Sequence, residues 1–309
     1  MITVMGSFVA DLAFKTDRLP AWGETYMGRE FRLGPGGKGS NQAVAAARAG
    51  ATVSFIGKVG DDPFGELARS MFRREGIDAQ YLFGGQDATG AASIVVDAKT
   101  GENSIIVVPG ASLKLTCEEV ESARELIERT AVFVTQCETA LPTVQYGLKL
   151  AHGLGVRTIL NPAPGCALPS GVFACCDYLT PNESEAEVLT GIQVGSVAAA
   201  EAAADALLAQ GARNVVITLG AQGAFVKNHS TAALVAAFDG GAVVESTGAG
   251  DAFNGGFAVA LGEGRELIEA VRFGCAVAAI SVTRAGTAPS MPFRREVDAL
   301  LQRACLSSS

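Results

Sequence analysis

Three small residues and one acid precede an apolar segment late in the chain, and this combination could move a phosphoryl group. Gly248, Ala249 and Gly250 come directly before Asp251, and residues 252–262 are mostly apolar. Free N–H groups at such a helix start, with the positive end of the helix dipole, form a site for a phosphate or a developing anion. A carboxylate beside that site can accept the proton of an attacking hydroxyl. We therefore expect Asp251 to be a catalytic base next to an anion hole.

The same segment also has a purely structural interpretation. Thr247 or Asp251 can cap the helix, and the glycines can form the tight turn that precedes it. The segment alone does not decide between the two interpretations.

A second glycine-rich segment, residues 34–42, opens an alanine-rich helix predicted from about residue 41. Gly36 and Gly37 allow a polyol to approach the backbone. Lys38 and Asn41 can hydrogen-bond to its hydroxyls. The segment is therefore a candidate sugar site.

The same glycines must be weighed against a dinucleotide site. Gly34, Gly36 and Gly39 match the spacing of that fingerprint, and acidic residues follow about twenty positions later. A dinucleotide fingerprint normally follows the first strand of the fold, whereas the first predicted strand here ends near Gly6. The match is weak.

Other polar residues follow predicted strands and would gather at one edge of a parallel sheet. Asp11 can bind sugar hydroxyls or cap a turn. Asn182 and Glu185 can cap a helix, or they can help to hold a hydrated Mg²⁺, which needs few carboxylates. The glycine turn after the strand at 214–218 can accept part of a nucleotide, or it is a plain hairpin turn.

The order of elements predicts an α/β fold. Helices and apolar strands alternate after residue 117, which favours a doubly wound, mostly parallel sheet flanked by helices. The alternating segments at about 12–34 and 88–108 predict strands of a small β-sheet lid inserted in one domain spanning residues 1–309. The apolar face of the lid needs cover, so a homodimer through the lid is expected.

Composition narrows the classes of partner. Of 309 residues, 49% are hydrophobic and 18% charged, with a net charge of −8 and no basic cluster, so a nucleic-acid partner is not expected. Seven cysteines without a CxxC pair indicate reduced thiols and a cytoplasmic location. His152 and His229 are too few for a histidine-based zinc site. No apolar run is long enough to predict a membrane span.

The motifs resemble those of the ribokinase-like (PfkB) carbohydrate kinases, in the family's order from residue 4 to about residue 293. Residues 247–251 with the Asn-Gly-Gly that follows at 254–256 are similar to the family's carboxy-terminal signature, and residues 36–43 to its sugar-binding signature. The resemblance implies the fold described above and transfer of the ATP γ-phosphoryl to a primary hydroxyl of a small sugar. A pentose giving a 5-phosphate is expected, with a deoxypentose, fructose or a nucleoside as alternative acceptors.

The resemblance also implies roles for single residues. The implied sugar ligands are Asp11, Gly36, Gly37, Lys38, Asn41, Glu138 and Asp251. The implied ATP-binding residues are Asn182, Thr218, Gly220, Gly223, Gly248 and Gly250. Glu185 is implied to hold Mg²⁺ through water. A monovalent cation, expected to be K⁺, is implied at Glu245, Thr247, Val282, Ala285, Thr287 and Ser290.

Two positions depart from the family pattern. Val9 stands where related kinases usually carry Asn, two residues before the sugar-binding Asp, so one polar contact to the sugar is in doubt. Glu245 stands where Asp is usual, which leaves the geometry of the cation site open.

Two other classes of function remain to be considered. The hypothesis of a dinucleotide-dependent oxidoreductase is based on the glycine match at Gly34. A non-catalytic sugar sensor could use the same fold. Retention of Asp251 with its glycines argues against a sensor.

Overall fold

Strands and helices alternate along the chain, and the computed structural model describes residues 1–100, 102–169 and 171–307. The strands are β1 (Ile2–Met5), β2 (Val9–Thr16), β3 (Glu30–Gly36), β4 (Val53–Gly60), β5 (Asp78–Gly85), β6 (Thr89–Asp97), β7 (Asn103–Gly110), β8 (Val132–Thr135), β9 (Arg157–Leu160), β10 (Tyr178–Leu179), β11 (Asn214–Thr218), β12 (Ala224–Lys227) and β13 (Ala232–Val235). The helices are α1 (Lys38–Arg48), α2 (Pro63–Arg74), α3 (Cys117–Ser122), α4 (Arg124–Glu128), α5 (Leu141–Gly153), α6 (Glu183–Thr190), α7 (Val197–Ala209), α8 (Ala249–Gly262), α9 (Leu267–Ser281) and α10 (Arg294–Ser307).

The larger sheet contains nine strands within these ranges, in the order β13-β12-β11-β10-β9-β8-β1-β4-β5. Neighbouring strands from β11 to β5 are parallel, and β12 pairs antiparallel with β11 and β13. The central strands β1 and β8 are buried along their whole length, as expected for a parallel sheet covered on both faces. Their carboxyl ends meet those of β9 and β10 at one edge, where open α/β sheets bind ligands.

Helices cover both faces of this sheet. Helices α1, α2, α8, α9 and α10 share one apolar core, which includes Phe55, Phe72 and Phe257. The other face is packed by α3 to α7 in two further clusters. Asp62 caps α2 by accepting the N–H of Gly65 at 2.8 Å. This acid, which follows the glycine match at about the dinucleotide spacing, is therefore a helix cap.

A second, four-stranded sheet has the order β3-β2-β6-β7, and we call it the lid sheet. Strands β2 and β3 pair antiparallel, as do β6 and β7, while β2 and β6 are parallel. One face carries exposed apolar side chains, including Phe31, Ile106 and Val108. The sheet continues directly into the site, because β3 ends at Gly36 and α1 begins at Lys38.

The predicted fold class is confirmed: a mostly parallel sheet flanked by helices, with a second small sheet. The helix predicted from about residue 41 begins three residues earlier, so Lys38 belongs to its first turn. The lid strands begin at Val9 and end at Gly110, beyond the predicted limits. The division into a kinase domain with inserted lid segments stays a prediction. Among the described helices, none has the length and apolarity to cross a membrane.

Candidate active site

Asp251 lies in the first turn of α8 and is only 6% exposed. The Asn41 side chain donates to its Oδ2 at 2.9 Å, and the Gln42 side chain donates to its Oδ1 at 3.0 Å. Burial raises the pKa of Asp251 to about 6, against the lowering effect of Lys38 and of these two hydrogen bonds. A buried carboxylate with a pKa near the working pH is suited to accept a proton.

The start of α8 does not use a side-chain cap. Gly248 is the N-cap residue, with φ of 82°, and no side chain caps the helix. The interpretation in which Thr247 or Asp251 caps α8 is therefore wrong. Gly250 has no positive φ, and a Cβ there would meet nothing within 4 Å. Gly248 is thus needed for its backbone conformation, whereas Gly250 keeps open the space in front of the helix start.

Lys38 and the start of α8 line the same cavity of about 140 Å³. Burial lowers the pKa of its ammonium group, but the carboxylates of Asp251, Glu138 and Glu185 raise it overall. The cation therefore stays charged among three acids. The cavity is lined by Lys38, Asn161, Ala163, Thr180, Asn182, Glu185, Thr218, Gly248, Gly250, Asp251 and Asn254.

Glu138 follows β8 and is fixed by two donors. The Ser7 hydroxyl and the backbone N–H of Lys38, at 2.9 Å, both donate to its Oε2. The second oxygen, Oε1, is not used by these bonds. Asn41 is similarly held, because its amide nitrogen donates to Asp251 while its buried Oδ1 has no partner among the described residues. Both side chains thus present an acceptor suited to a substrate hydroxyl.

Asp11 on β2 is held beside the start of α1. A Cβ at Gly36 would lie 2.2 Å from Asp11 Oδ2, so only glycine leaves room for this carboxylate. The Thr287 hydroxyl donates toward Asp11 Oδ2 at 3.1 Å. Burial raises the pKa of Asp11 to about 6, and the Thr287 bond opposes that rise. Gly37 has φ of 92°, and a Cβ there would lie 2.7 Å from Val9 N.

Two of the three glycines that match a dinucleotide fingerprint are required by packing. Gly36 makes room for Asp11, and a Cβ at Gly39 would lie 2.7 Å from Gly6 Cα at the end of β1. The segment follows a strand of the lid sheet, not the first strand of the larger sheet. Close packing explains Gly36 and Gly39 without a bound dinucleotide, whereas a Cβ at Gly34 would meet nothing within 4 Å.

Asn182 and Glu185 form a capping box at the start of α6. The Asn182 side chain accepts the N–H of Glu185 at 2.8 Å, and Glu185 accepts the backbone N–H of Asn182 at 2.9 Å. The structural interpretation of this pair is thus correct, yet both residues also line the smaller cavity. Burial raises the pKa of Glu185, and Lys38 and the Asn182 bond oppose that rise. Among the described residues no three His, Cys, Asp or Glu side chains form a metal cluster, but Mg²⁺ held through water needs only one carboxylate besides the phosphates.

The residues proposed for a monovalent cation lie near one another but are partly engaged. Glu245 Oε2 accepts the N–H of Gly286 at 2.9 Å. The carbonyl of Val282 accepts the N–H groups of both Val244 and Glu245. The carbonyl of Thr287 accepts the N–H and hydroxyl of Ser290. Glu245, Thr247, Ala285 and Thr287 also line a larger cavity of about 550 Å³ between the lid sheet and the segments at 244–247 and 285–289. Carbonyl and carboxylate oxygens are the ligand types that a hard cation prefers, but the carbonyls of Val282 and Thr287 each already accept two hydrogen bonds.

The glycine turn after β11 is only partly at the site. Thr218 lines the smaller cavity, whereas Gly220 and Gly223 do not. A Cβ at Gly223 would lie 2.0 Å from Val235 O, so this glycine is required by the packing of the turn against β13. Their assignment to ATP stays a prediction.

Three residues at the site were missed by sequence reasoning. Ser7 orients Glu138, Gln42 holds Asp251, and Asn254 donates to the carbonyl of Gly250 at 2.8 Å. Gln42 lies within the sugar-binding signature and Asn254 within the carboxy-terminal signature, and this position was the sequence feature that could have indicated a role at the site. Their partners could not be deduced because Gln42 and Asp251 are 209 positions apart.

This arrangement defines a class of enzyme. A buried base, an open helix start and a charged ammonium group surround one small space, which is the requirement for moving a phosphoryl group onto a hydroxyl. The carboxylates and amides on the lid side offer acceptors to a substrate with several hydroxyls. The fold and site are therefore those of a phosphotransferase for a small polyol.

Comparison with known proteins gives the family. Residues 1–294 match the pfkB family carbohydrate kinase model. The ribokinase of Haemophilus influenzae is 41% identical over 98% of this chain and 99% of its own length. The deoxyribokinase of Salmonella typhimurium is 36% identical over 94% of this chain and 95% of its own length. The structure of Arabidopsis thaliana ribokinase complexed with ribose and ATP has a TM-score of 0.91, with 30% identity over 97% of this chain and 98% of that one.

The chain belongs to the pfkB family of carbohydrate kinases. The predicted family and the predicted activity class, an ATP-dependent sugar kinase, are confirmed. An oxidoreductase on this fold is not supported by these relatives.

Proposed function

We propose that this kinase transfers the γ-phosphoryl of ATP to the primary hydroxyl of a pentose and forms the 5-phosphate. One observation carries the proposal: the buried Asp251 carboxylate lies at the open start of α8, held by Asn41 and Gln42. The relatives named above support a pentose as the acceptor.

In the proposed mechanism Asp251 accepts the hydroxyl proton as that oxygen attacks phosphorus. The N–H groups at Gly248, Ala249 and Gly250 stabilise the charge that grows on the transferring group. Lys38, which lines the same cavity, neutralises the same group. Mg²⁺, held through water by Glu185, would supply further neutralisation of the phosphates. Asn182 and Thr218 line the nucleotide side of the cavity.

The sugar lies, in this proposal, between the lid sheet and α8. Asp11, Asn41 and Glu138 present acceptors to its hydroxyls, and the Gly36–Gly37 backbone permits close approach. The direct test is a panel of pentoses, deoxypentoses, hexoses and nucleosides assayed for ADP release. No release with any of them would contradict the proposed activity.

Val9 provides a specific reason to include deoxy sugars. It is 3% exposed, shares a strand face with Asp11, and its two cross-strand neighbours are Gly36 and Gly90, so no side chain from a paired residue covers it. An apolar wall leaves a facing hydroxyl unpaired, at a cost of about 1–3 kcal/mol. We expect 2-deoxyribose or another furanose to be a better substrate than ribose.

Replacing Val9 tests this preference. Val9→Asn restores an amide, and we expect it to shift the ratio of kcat/KM values toward ribose by about tenfold, the value of one hydrogen bond. Val9→Ala is the matched control, since it stays apolar and should not improve ribose. A wild-type enzyme that strongly favours ribose, with no gain in Val9→Asn, would contradict the expectation.

We also propose activation by a monovalent cation. Glu245 keeps the carboxylate with one extra methylene, so K⁺ is expected to raise kcat above its value in Na⁺ or in a large organic cation. The measurement is the rate at constant ionic strength in each chloride salt. Equal rates in all three salts would show that Glu245 does not support a functional cation site.

A homodimer through the lid sheet is the proposed assembly. The apolar residues exposed on its strands include Phe14, Phe31, Ile106 and Val108, and a second copy would remove them from water. A cytoplasmic location is proposed because the seven cysteines include no CxxC pair, which is typical of proteins that keep reduced thiols.

A further inference from the structure

Gln42 contacts the proposed base directly, although it lines neither of the two cavities of the site. It is fully buried, and its amide nitrogen donates to Asp251 Oδ1 and to Asn161 Oδ1, each at 3.0 Å. Its own Oε1 accepts from the Gln136 amide at 2.7 Å. All hydrogen-bonding capacity of the Gln42 amide nitrogen is thus used by two acceptors.

The orientation of this amide follows from its partners. The ionised carboxylate of Asp251 can only accept, so the Gln42 nitrogen must face it. The Gln42 oxygen then faces Gln136, which must present its own nitrogen. The remaining Gln136 Oε1 consequently has no partner among the described residues. This orientation is the one in which Gln42 both donates to Asp251 and accepts from Gln136.

The same network reaches the anion hole. Asn161 donates to the carbonyl of Thr180 at 2.9 Å, and the Thr180 hydroxyl pairs with Asn254 Oδ1 at 2.6 Å. Asn254 in turn donates to the Gly250 carbonyl at 2.8 Å. The ends of β8, β9 and β10 are thereby joined through Gln42 to both the base and the first turn of α8.

We propose that Gln42 is a positioning residue for catalysis: it fixes the Asp251 carboxylate in the orientation that receives the substrate proton and stabilises its ionised form. Asn41 alone would leave Oδ1 unheld, because Gln42 is the described side chain that donates to it. This inference rests on the proposed function, since it assigns the partner of the proposed base.

Other charges also act on Asp251 and must stay constant in a test. Lys38 on α1 favours its ionised form, whereas Glu138 after β8 disfavours it. Glu185 on α6 and Asp11 on β2 also interact with it as like charges. Substitution at Gln42 changes none of these groups directly.

The test is Gln42→Met, which is close in size and cannot donate. We expect kcat to fall about tenfold to a hundredfold, as for a misplaced reacting group. The acidic limb of the kcat–pH profile should move to higher pH, because a hydrogen bond that favours the carboxylate is lost. The KM for ATP should stay close to wild type, since Lys38 and the start of α8 are retained.

Gln136→Met is the matched control. It breaks the same network one bond farther from Asp251 and leaves both donors to the carboxylate in place. The acidic limb of the kcat–pH profile of Gln136→Met should stay at the wild-type pH even if this variant is less stable. A structural role for Gln42 would predict similar behaviour of the two variants, with no displacement of the limb in either.

Gln42→Glu gives a second test if the Met variant folds poorly. It keeps the acceptor for Gln136 but places a carboxyl group against Asp251, and two such groups do not both ionise readily. The acidic limb of the kcat–pH profile should move to a higher pH than in Gln42→Met. Wild-type pH profiles in both folded Gln42 variants would overturn the inference. Absence of sugar-dependent ADP release in the wild type would instead refute the proposed function.

Discussion

Asp251→Asn is expected to lower kcat by about two to four powers of ten, the usual contribution of a general base. The substitution keeps the size of the side chain but removes its ability to accept a proton. The anion hole is built from the backbone at residues 248–250 and Lys38 is unchanged, so ATP binding should persist. The measurements are kcat with the best sugar of the panel and the dissociation constant for ATP.

A matched control separates catalysis from folding. Asp62→Asn changes an acid at the start of another helix, where the carboxylate accepts from Gly65 and from Thr89. It should alter thermal stability without a comparable loss of kcat. If Asp251→Asn kept more than about a tenth of wild-type turnover, Asp251 would not act as the base.

The sequence was informative wherever function depends on local chemistry. The apolar, continuous strands predicted a parallel sheet, and the glycines before α8 predicted an open helix start at its edge. Gly248 is an example: its positive φ is accessible because it is a glycine, so the residue type itself indicates that conformation. Glu138 after β8 and Glu185 after β10 do lie at one edge, where both act on Lys38, because parallel strands present their carboxyl ends together.

Long-range pairings were beyond the sequence. Gln42 and Asp251 pair across 209 positions, and Ser7 and Glu138 across 131. Local patterns contain no information about which side chains of separate elements come into contact. The role of Gly36 illustrates the same limit, since its lack of a side chain makes room for Asp11. The role of the glycine pair in admitting a sugar stays a prediction, and its first residue also makes room for a carboxylate.

The environment of Lys38 in the structure favours a different role from the one predicted from the sequence. Sequence reasoning placed it among the sugar ligands, but its side chain lines the cavity shared with Asn182, Thr218 and Gly250. A buried ammonium group among carboxylates is better placed to contact phosphate oxygens than to contact a sugar alone. We therefore propose that it contacts the transferring phosphoryl group.

Lys38→Met should accordingly lower kcat by about two to three powers of ten, comparable to the loss of an oxyanion-hole donor. It should also weaken ATP binding, unlike Asp251→Asn, because the ammonium group would contact the phosphates before the reaction as well. Kinetics at saturating sugar, together with direct titration of ATP, separate the two effects.

The pH profile gives an independent check on Lys38. Its charge lowers the pKa of Asp251, which burial raises to about 6, and it also lowers that of Glu185. The base works when deprotonated, so the rate falls as pH drops through its pKa. Without Lys38 that pKa rises, and the fall should begin at higher pH.

Lys58→Met provides the control for removing a half-buried ammonium group that pairs with a carboxylate. Lys58 pairs with Glu119 at 2.6 Å, and neither residue lines the two cavities of the site. Its loss removes the cationic partner of Glu119, which keeps its bond from the Thr116 N–H, and should cost stability, while kcat and its pH profile stay near wild type. If Lys38→Met behaved in the same way, with turnover and ATP affinity retained, Lys38 would serve only to neutralise its acidic neighbours and would not contact the phosphoryl group.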